Sequence, residues 1–339
     1  GPLPSARMDL ICPPRLRPGD ELRVIAPARS RPIVTGRVDP APIEARFAGM
    51  GLRLSYGRHV DEMDAFGSSP VAARIADLHD AFTDPAVAGV STVIGGFNSN
   101  ELLPFVDWNL IRANPKVFCG FSDITALQAA MLARAGMITW SGPHWSTFGM
   151  RDHCGQTIDW FRAALLRDAP VELRPSPEWT DDRWFLDQDD RHPERNEGWW
   201  PLRAGQATGP IVGGNLCTLN LLQGTGYLPG LDGAVLVIED DETSDVVTFA
   251  RNLTSLLQLP DAPGVRGLAI GRFQRASQMS RELLDQIVGN QPALAGKPVL
   301  ANIDVGHTSP MATVPIGGTA ELFVDPGDPA GNRLGLRAG

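Results

Sequence analysis

The feature that most limits what this chain can fold into is a set of short apolar runs that stop abruptly at glycine, proline or carboxylates, with helical patterns between them. Residues 21–26 (ELRVIA) end at Pro27, residues 90–94 (VSTVI) end at Gly95-Gly96, and residues 116–119 (KVFC) end at Gly120. Between them, Val71, Ile75, Leu78 and Phe82 recur at the spacing of one helix face. Residues 124–135 (ITALQAAMLARA) likewise read as a helix that closes before Gly136. Strands that alternate with helices pair in parallel and need helices on both faces. Up to about residue 165 the chain therefore reads as α/β with a parallel sheet.

The alternation lapses over residues 174–201, a stretch of Pro, Asp, Arg and Trp with no sustained period. A loop of that length is usually a lid, a binding loop or a linker. Strand patterns resume at 234–238 (AVLVI), 267–270 and 298–300, with helical segments at 246–257 and 281–288. A chain of 339 residues exceeds one ordinary core and fits two. The expected division is an α/β domain over 8–170, a connecting and substrate loop over 171–204, and a smaller, β-rich mixed domain over 205–339. The opening Gly1-Pro2-Leu3-Pro4-Ser5 resembles a tag-cleavage remnant, which makes Met8 the expected native start.

A net charge of −9 lacks the basic footprint that nucleic acid demands. Cys12, Cys119, Cys154 and Cys217 are widely spaced, so neither a zinc site nor a disulfide framework is indicated. His144, His153 and His192 form no metal-ligand motif, and no metal or cofactor is expected. No run approaches the ~18 apolar residues of a membrane span, and the first residues lack a signal pattern. A cytoplasmic protein that does not engage membranes is expected.

Four segments carry chemistry. In Gly120-Phe121-Ser122-Asp123-Ile124 a strand passes through a turn into a helix, a setting that presents a serine hydroxyl beside the free amides of a helix start. The same serine could simply cap the helix. Gly95-Gly96 ends a strand of the same sheet and could supply oxyanion amides, or be a bare turn; it does not spell a dinucleotide-binding fingerprint. Glu239-Asp240 closes an apolar strand where ligands often bind, although exposed acids are common at strand ends. His307, in a glycine loop, is a natural general base or an ordinary surface histidine.

Taken in order over nearly the whole chain, these segments resemble the LD-carboxypeptidase family of serine peptidases, and within it the microcin C self-immunity branch. The resemblance rests on Arg17-Pro18-Gly19-Asp20, Ile25-Ala26-Pro27, residues 94–100, Asn114-Pro115-Lys116, residues 120–125, Gly142-Pro143, Gly213-Gly214-Asn215-Leu216, Ile238-Glu239-Asp240 and Gly306-His307-Thr308. It implies Ser122 as nucleophile, His307 as base and Glu239 as the residue that orients it. Backbone amides of Gly96 and Asp123 become the oxyanion donors, the active site lies between the two domains, and the chain forms a homodimer. Wall-peptide members carry R-G-G where this chain has Ile94-Gly95-Gly96, followed by Phe97-Asn98-Ser99-Asn100, which favours the immunity-like branch.

That branch sets a loop tryptophan against a nucleobase, so Trp179 and Trp184 are candidate substrate residues, unless they pack the loop onto the core. Asn98, Ser99 and Asn215 join them as expected substrate contacts. The expected reaction is hydrolysis of an amide in an aminoacyl or peptidyl nucleotide, a self-immunity role. One alternative is removal of D-Ala from murein tetrapeptide; another is a binding protein without catalysis.

Overall fold

The computed structural model describes residues 8–339, so the suspected remnant at 1–5 lies outside the described residues. Its first sheet is built on β1 (Glu21–Ile25), β2 (Arg53–Tyr56), β3 (Val87–Thr92), β4 (Val117–Gly120) and β5 (Thr139–Ser141). These five pair in parallel in the order β5-β4-β3-β1-β2; β3, β4 and β5 are buried almost throughout, and β2 at the edge is half exposed. The helix Val71–Thr83 buries Leu78, Ala81 and Phe82, the stripe read from its spacing. After β4 the chain makes a 3-10 turn, Ser122–Ile124, then the buried helix Thr125–Ala130 and a π turn, Met131–Ala135. Gly136 ends that run in the left-handed conformation, φ 60°.

The later strands are β6 (Val171–Leu173), β7 (Glu178–Trp179), β8 (Glu194–Arg195), β9 (Trp200–Arg203), β10 (Gly205–Asn215), β11 (Val235–Glu239), β12 (Gly267–Gly271), β13 (Val299–Ile303), β14 (Val314–Ile316), β15 (Thr319–Val324) and β16 (Arg333–Arg337). Eight of them form a second sheet in the order β6-β16-β15-β10-β11-β12-β13-β9, parallel from β10 to β13 and antiparallel towards both edges.

The connecting segment expected as a loop over 171–204 contains strands. Its ends supply both edge strands of the second sheet, β6 and β9, and within the aperiodic stretch 174–201 β7 pairs with β8 as a two-residue ribbon. Strands of two to four residues containing Pro, Trp and charge are too short to display an alternation. In the other direction, β14 leaves the second half and pairs antiparallel with β5 in the first sheet. The two halves are thus laced together by strand exchange at the segment that follows His307.

They also share one core. Phe82, Phe118, Ala126 and Leu127 from the first half and Val212, Leu216, Leu236 and Phe249 from the second belong to one buried cluster. Where the halves meet, the Asn215 amide at the end of β10 donates to Thr125 Oγ1 at 2.9 Å, in a buried setting. That bond fixes the serine-bearing helix against the strand beside Glu239. Thr125→Val keeps shape but strands the Asn215 donor, so it should cost about 1–3 kcal/mol. Urea unfolding checks the cost, and Thr125→Ser, which retains the acceptor, should recover most of it.

Candidate active site

The loops after β1, β3, β4, β5 and β13 open on one cleft of about 430 Å³, so strand ends of both sheets converge there. Ser122 follows β4 with φ 59°, a left-handed conformation unusual for a residue with a side chain. His307 Nε2 stands 3.1 Å from Ser122 Oγ, and His307 Nδ1 stands 2.7 Å from Glu239 Oε2. The carboxylate can only accept, so Nδ1–H donates to it, and in the neutral imidazole the Nε2 lone pair faces the serine hydroxyl.

Glu239 ends β11 and is only 2% exposed. A carboxylate so buried needs partners, and Asn215 Nδ2 supplies a second one at 3.3 Å to Oε1 while spanning to Asp240 Oδ1 at 3.3 Å. Gly306 allows His307 to approach: its φ is 111°, and a Cβ there would stand 2.8 Å from both Cβ and Oε2 of Glu239. Burial of His307 opposes its charge, but the charge and hydrogen bond of Glu239, with Asp241 and Asp240 behind, outweigh it and hold the imidazolium pKa well above 6.5. Burial, reinforced by the Glu239 charge, lifts Asp240 to about 7.

The histidine loop is braced from below. Arg272 and Asp304, each 2% exposed, meet at 2.7 Å. Arg272 Nη1 also donates to Thr308 Oγ1, and Asp304 accepts from the amide and hydroxyl of Ser176. Thr180 and Ser309 exchange backbone hydrogen bonds at 2.8 Å, which ties the connecting segment to the same loop. Through that tie Trp184 reaches the cleft wall, beside Phe185.

Gly95 lies against the serine: a Cβ there would meet Ser122 Oγ at 3.3 Å and His144 Nε2 at 3.5 Å. Neither the Gly96 nor the Asp123 amide donates a hydrogen bond among the described residues, which leaves both available at the serine turn. The arrangement can activate a hydroxyl and receive negative charge on an adjacent oxygen.

Four residues expected at the substrate lie elsewhere. The Ser99 amide and hydroxyl donate to Asp123, and Asn98 donates to Ser68 Oγ; both residues are buried behind the cleft wall. Asn215 is likewise buried, committed to Thr125 and the two acids. Trp179 lines a separate hollow, its ring packed under the guanidinium groups of Arg272 and Arg275 at 5.1 and 4.4 Å. Trp179 is thus engaged with two cations and is not part of the cleft wall.

His144 and Arg29, two wall residues, were not singled out in the sequence. His144 follows β5, donates to or accepts from Thr92 Oγ1 through Nδ1 at 2.7 Å, and leaves Nε2 buried without a partner. Burial pushes its pKa down to about 3, so the ring is neutral. Arg29 follows β1, with its amide donating to Gly95 O at 3.3 Å. The signal that could have found both is position: each stands in a loop at the C-terminal end of a parallel strand. Phe121 lies between the rings of His144 and His307, with centroids 4.4 and 5.0 Å away.

Gly95→Ala, whose Cβ would press on Ser122 Oγ at 3.3 Å and push it by a few tenths of an ångström, should slow fluorophosphonate labelling of Ser122 severalfold, below the ~10²-fold scale of a 1 Å misplacement. Unchanged labelling with a normal fold would show that the turn does not set the hydroxyl.

Comparison with known proteins follows the same lines. The LD-carboxypeptidase N-terminal domain model matches residues 22–142, and the C-terminal domain model matches residues 208–322. YocD of Bacillus subtilis, named as a candidate carboxypeptidase, is 46% identical over 91% of this chain and 94% of its own. The microcin C7 self-immunity protein MccF of Escherichia coli is 32% identical over 81% of this chain and 82% of its own. The murein tetrapeptide carboxypeptidase of Pseudomonas aeruginosa is 29% identical over 84% and 86%. Among solved structures, the MccF-like protein of Bacillus anthracis superposes with a TM-score of 0.93 at 40% identity, covering 96% of this chain and 99% of its own. MccF in complex with aspartyl sulfamoyl adenosine superposes at 0.84 with 26% identity, covering 96% and 98%. With both domain models matched in order, the chain belongs to the LD-carboxypeptidase family of serine peptidases.

Proposed function

We propose that this serine peptidase cleaves the amide of an aminoacyl or peptidyl nucleotide, a detoxifying self-immunity reaction, with Ser122, His307 and Glu239 acting as one unit. The observation that carries the chemistry is the continuous path Ser122 Oγ, His307 Nε2, His307 Nδ1, Glu239 Oε2, at 3.1 and 2.7 Å. In this mechanism Ser122 Oγ bonds to the carbonyl carbon as its proton passes to His307 Nε2, and Glu239 stabilises the imidazolium. The carbonyl oxygen takes the negative charge beside the Gly96 and Asp123 amides. The C–N bond then breaks as His307 returns the proton to the leaving nitrogen; water, deprotonated by His307 Nε2, adds to the acyl carbon, and the ester C–O bond breaks as that proton passes to Ser122 Oγ, which releases the acid.

The nucleotide reading is supported by Trp184 on the cleft wall and by the MccF complex with aspartyl sulfamoyl adenosine. The murein reading keeps the same chemistry and draws on the Pseudomonas relative. A homodimer in the cytoplasm belongs to the same proposal; no helix among the described residues is long and apolar enough to cross a membrane.

Ser122→Ala should abolish turnover of both an aminoacyl sulfamoyl adenosine and a murein tetrapeptide; near-normal activity would sink the mechanism. Trp184→Ala should raise KM for the nucleotide about tenfold or more, the scale of one lost base stack, and leave the tetrapeptide nearly unaffected. Equal losses on both would identify Trp184 as a lid and advance the murein reading.

The pH profile tests the base. Attack needs His307 neutral, so kcat/KM should rise with pH through the His307 pKa, with its midpoint above 6.5. Glu239→Gln removes the nearest opposite charge, which lowers that pKa, so the limb should move to more acidic pH while the plateau falls. A limb that stays in place would separate Glu239 from His307.

A further inference from the structure

The cleft wall contains three carboxylates, and each already has a cation. Asp181 pairs with Arg275, Asp182 with Arg191 at 2.9 Å, and Glu242 with Arg183 at 3.4 Å. Arg275 additionally meets Glu194 at 2.6 Å, so its charge is taken as well. Glu239, behind the wall, is engaged by His307. Arg29 is the remaining charged residue of the wall, and among the described residues its guanidinium makes neither a hydrogen bond nor an ion pair. It is also exposed, so its charge is presented to the cleft.

Its position is specific. The Arg29 stem packs on the glycine turn: a Cβ on Gly96 would meet Arg29 Cγ at 3.1 Å and the Arg29 amide nitrogen at 3.3 Å. The turn that flanks Ser122 therefore carries the unpaired cation on its other side. An amide hydrolase that releases a C-terminal residue has a carboxylate two bonds from the leaving nitrogen, and a phosphoramidate-type nucleotide has an acidic phosphoryl group bonded directly to it. Either leaving group brings an anion close to the scissile bond, and in this cleft it meets one free guanidinium.

We propose that Arg29 is a specificity-determining residue that binds the anionic group of the leaving portion, whether carboxylate or phosphate. This rests on the amide-hydrolase reading for which portion leaves, but the selection of an anion does not. A guanidinium forms paired, charge-assisted hydrogen bonds with either anion, which a neutral amide or hydroxyl cannot reproduce.

Two pairs of probes test it. On the Ser122→Ala protein, calorimetry compares AMP with adenosine. On the active protein, kcat/KM compares a tetrapeptide ending in free D-Ala with the same peptide ending in D-alaninamide. The protein with native Arg29 should favour the charged member of at least one pair by about tenfold or more, on the scale of one charge-assisted contact. Arg29→Gln should narrow that ratio to within about twofold, and Arg29→Lys should restore part of it. The pair that responds identifies phosphate or carboxylate as the anion selected. No preference for either charged probe, a preference that survives Arg29→Gln, or equal weakening of charged and neutral members would overturn the proposal. The amide-hydrolase reading fails separately, through turnover that persists in Ser122→Ala, and that failure leaves the AMP and adenosine comparison readable.

Discussion

The contact on which the rest of the site depends is the 2.7 Å hydrogen bond between His307 Nδ1 and Glu239 Oε2. It joins a loop after β13 to the last residue of β11, and so makes geometry at one atom depend on two strands of the second sheet. A carboxylate 2% exposed costs free energy unless donors surround it. The surroundings supply them: His307 on one oxygen, Asn215 on the other, and Gly306 with no side chain to hold the loop away. Once Nδ1–H is committed to the acid, the opposite nitrogen of the neutral ring is left to accept the serine proton.

The nucleophile comes from the other sheet, so its registration against this pair is a problem of packing between halves. Three features solve it. The Asn215 amide and side chain together link the helix after Ser122 to Glu239. One apolar cluster runs through both halves. Strand β14, whose first residue Val314 stands seven positions after His307, pairs with β5 of the sheet that bears Ser122. None of these touches the cleft cavity, and each constrains the Ser122 to His307 distance that does.

Much of this was legible in the sequence, for identifiable reasons. Buried parallel strands are near-continuous apolar runs, so residues 21–26, 90–94 and 234–238 announced themselves, and the helix Val246–Leu257 coincides with its pattern. Motif order identified the family that both domain models match. What a sequence conceals is which side of a wall a polar residue occupies. Asn98 and Ser99 follow the cleft residue Gly96 by two and three positions, and Asn215 stands beside Glu239 in the strand register, yet their side chains point into the packing and hold it. Trp179 and Trp184 are five residues apart in one segment, and only the fold shows that Arg272 and Arg275 cover the first while the second reaches the cleft. Arg29 and His144 belong to no period at all.

The two histidines of the cleft show why composition of a wall decides function more than residue type. His307 and His144 both pack on the phenyl ring of Phe121, His144 buried and His307 partly so. His307 faces Glu239, with Asp241 and Asp240 nearby, and those charges outweigh burial and favour the cation. His144 faces the hydroxyl of Thr92 and the positive side of His307, so burial governs and the ring stays neutral. A base that must carry a proton through the reaction needs the first environment, because its charged form has to be stable where it stands. A ring in the second environment cannot take up that proton near neutral pH. Of the two imidazoles beside Ser122, only His307 is therefore equipped to shuttle, and the free edge of His144 can offer a hydrogen bond without competing for the proton.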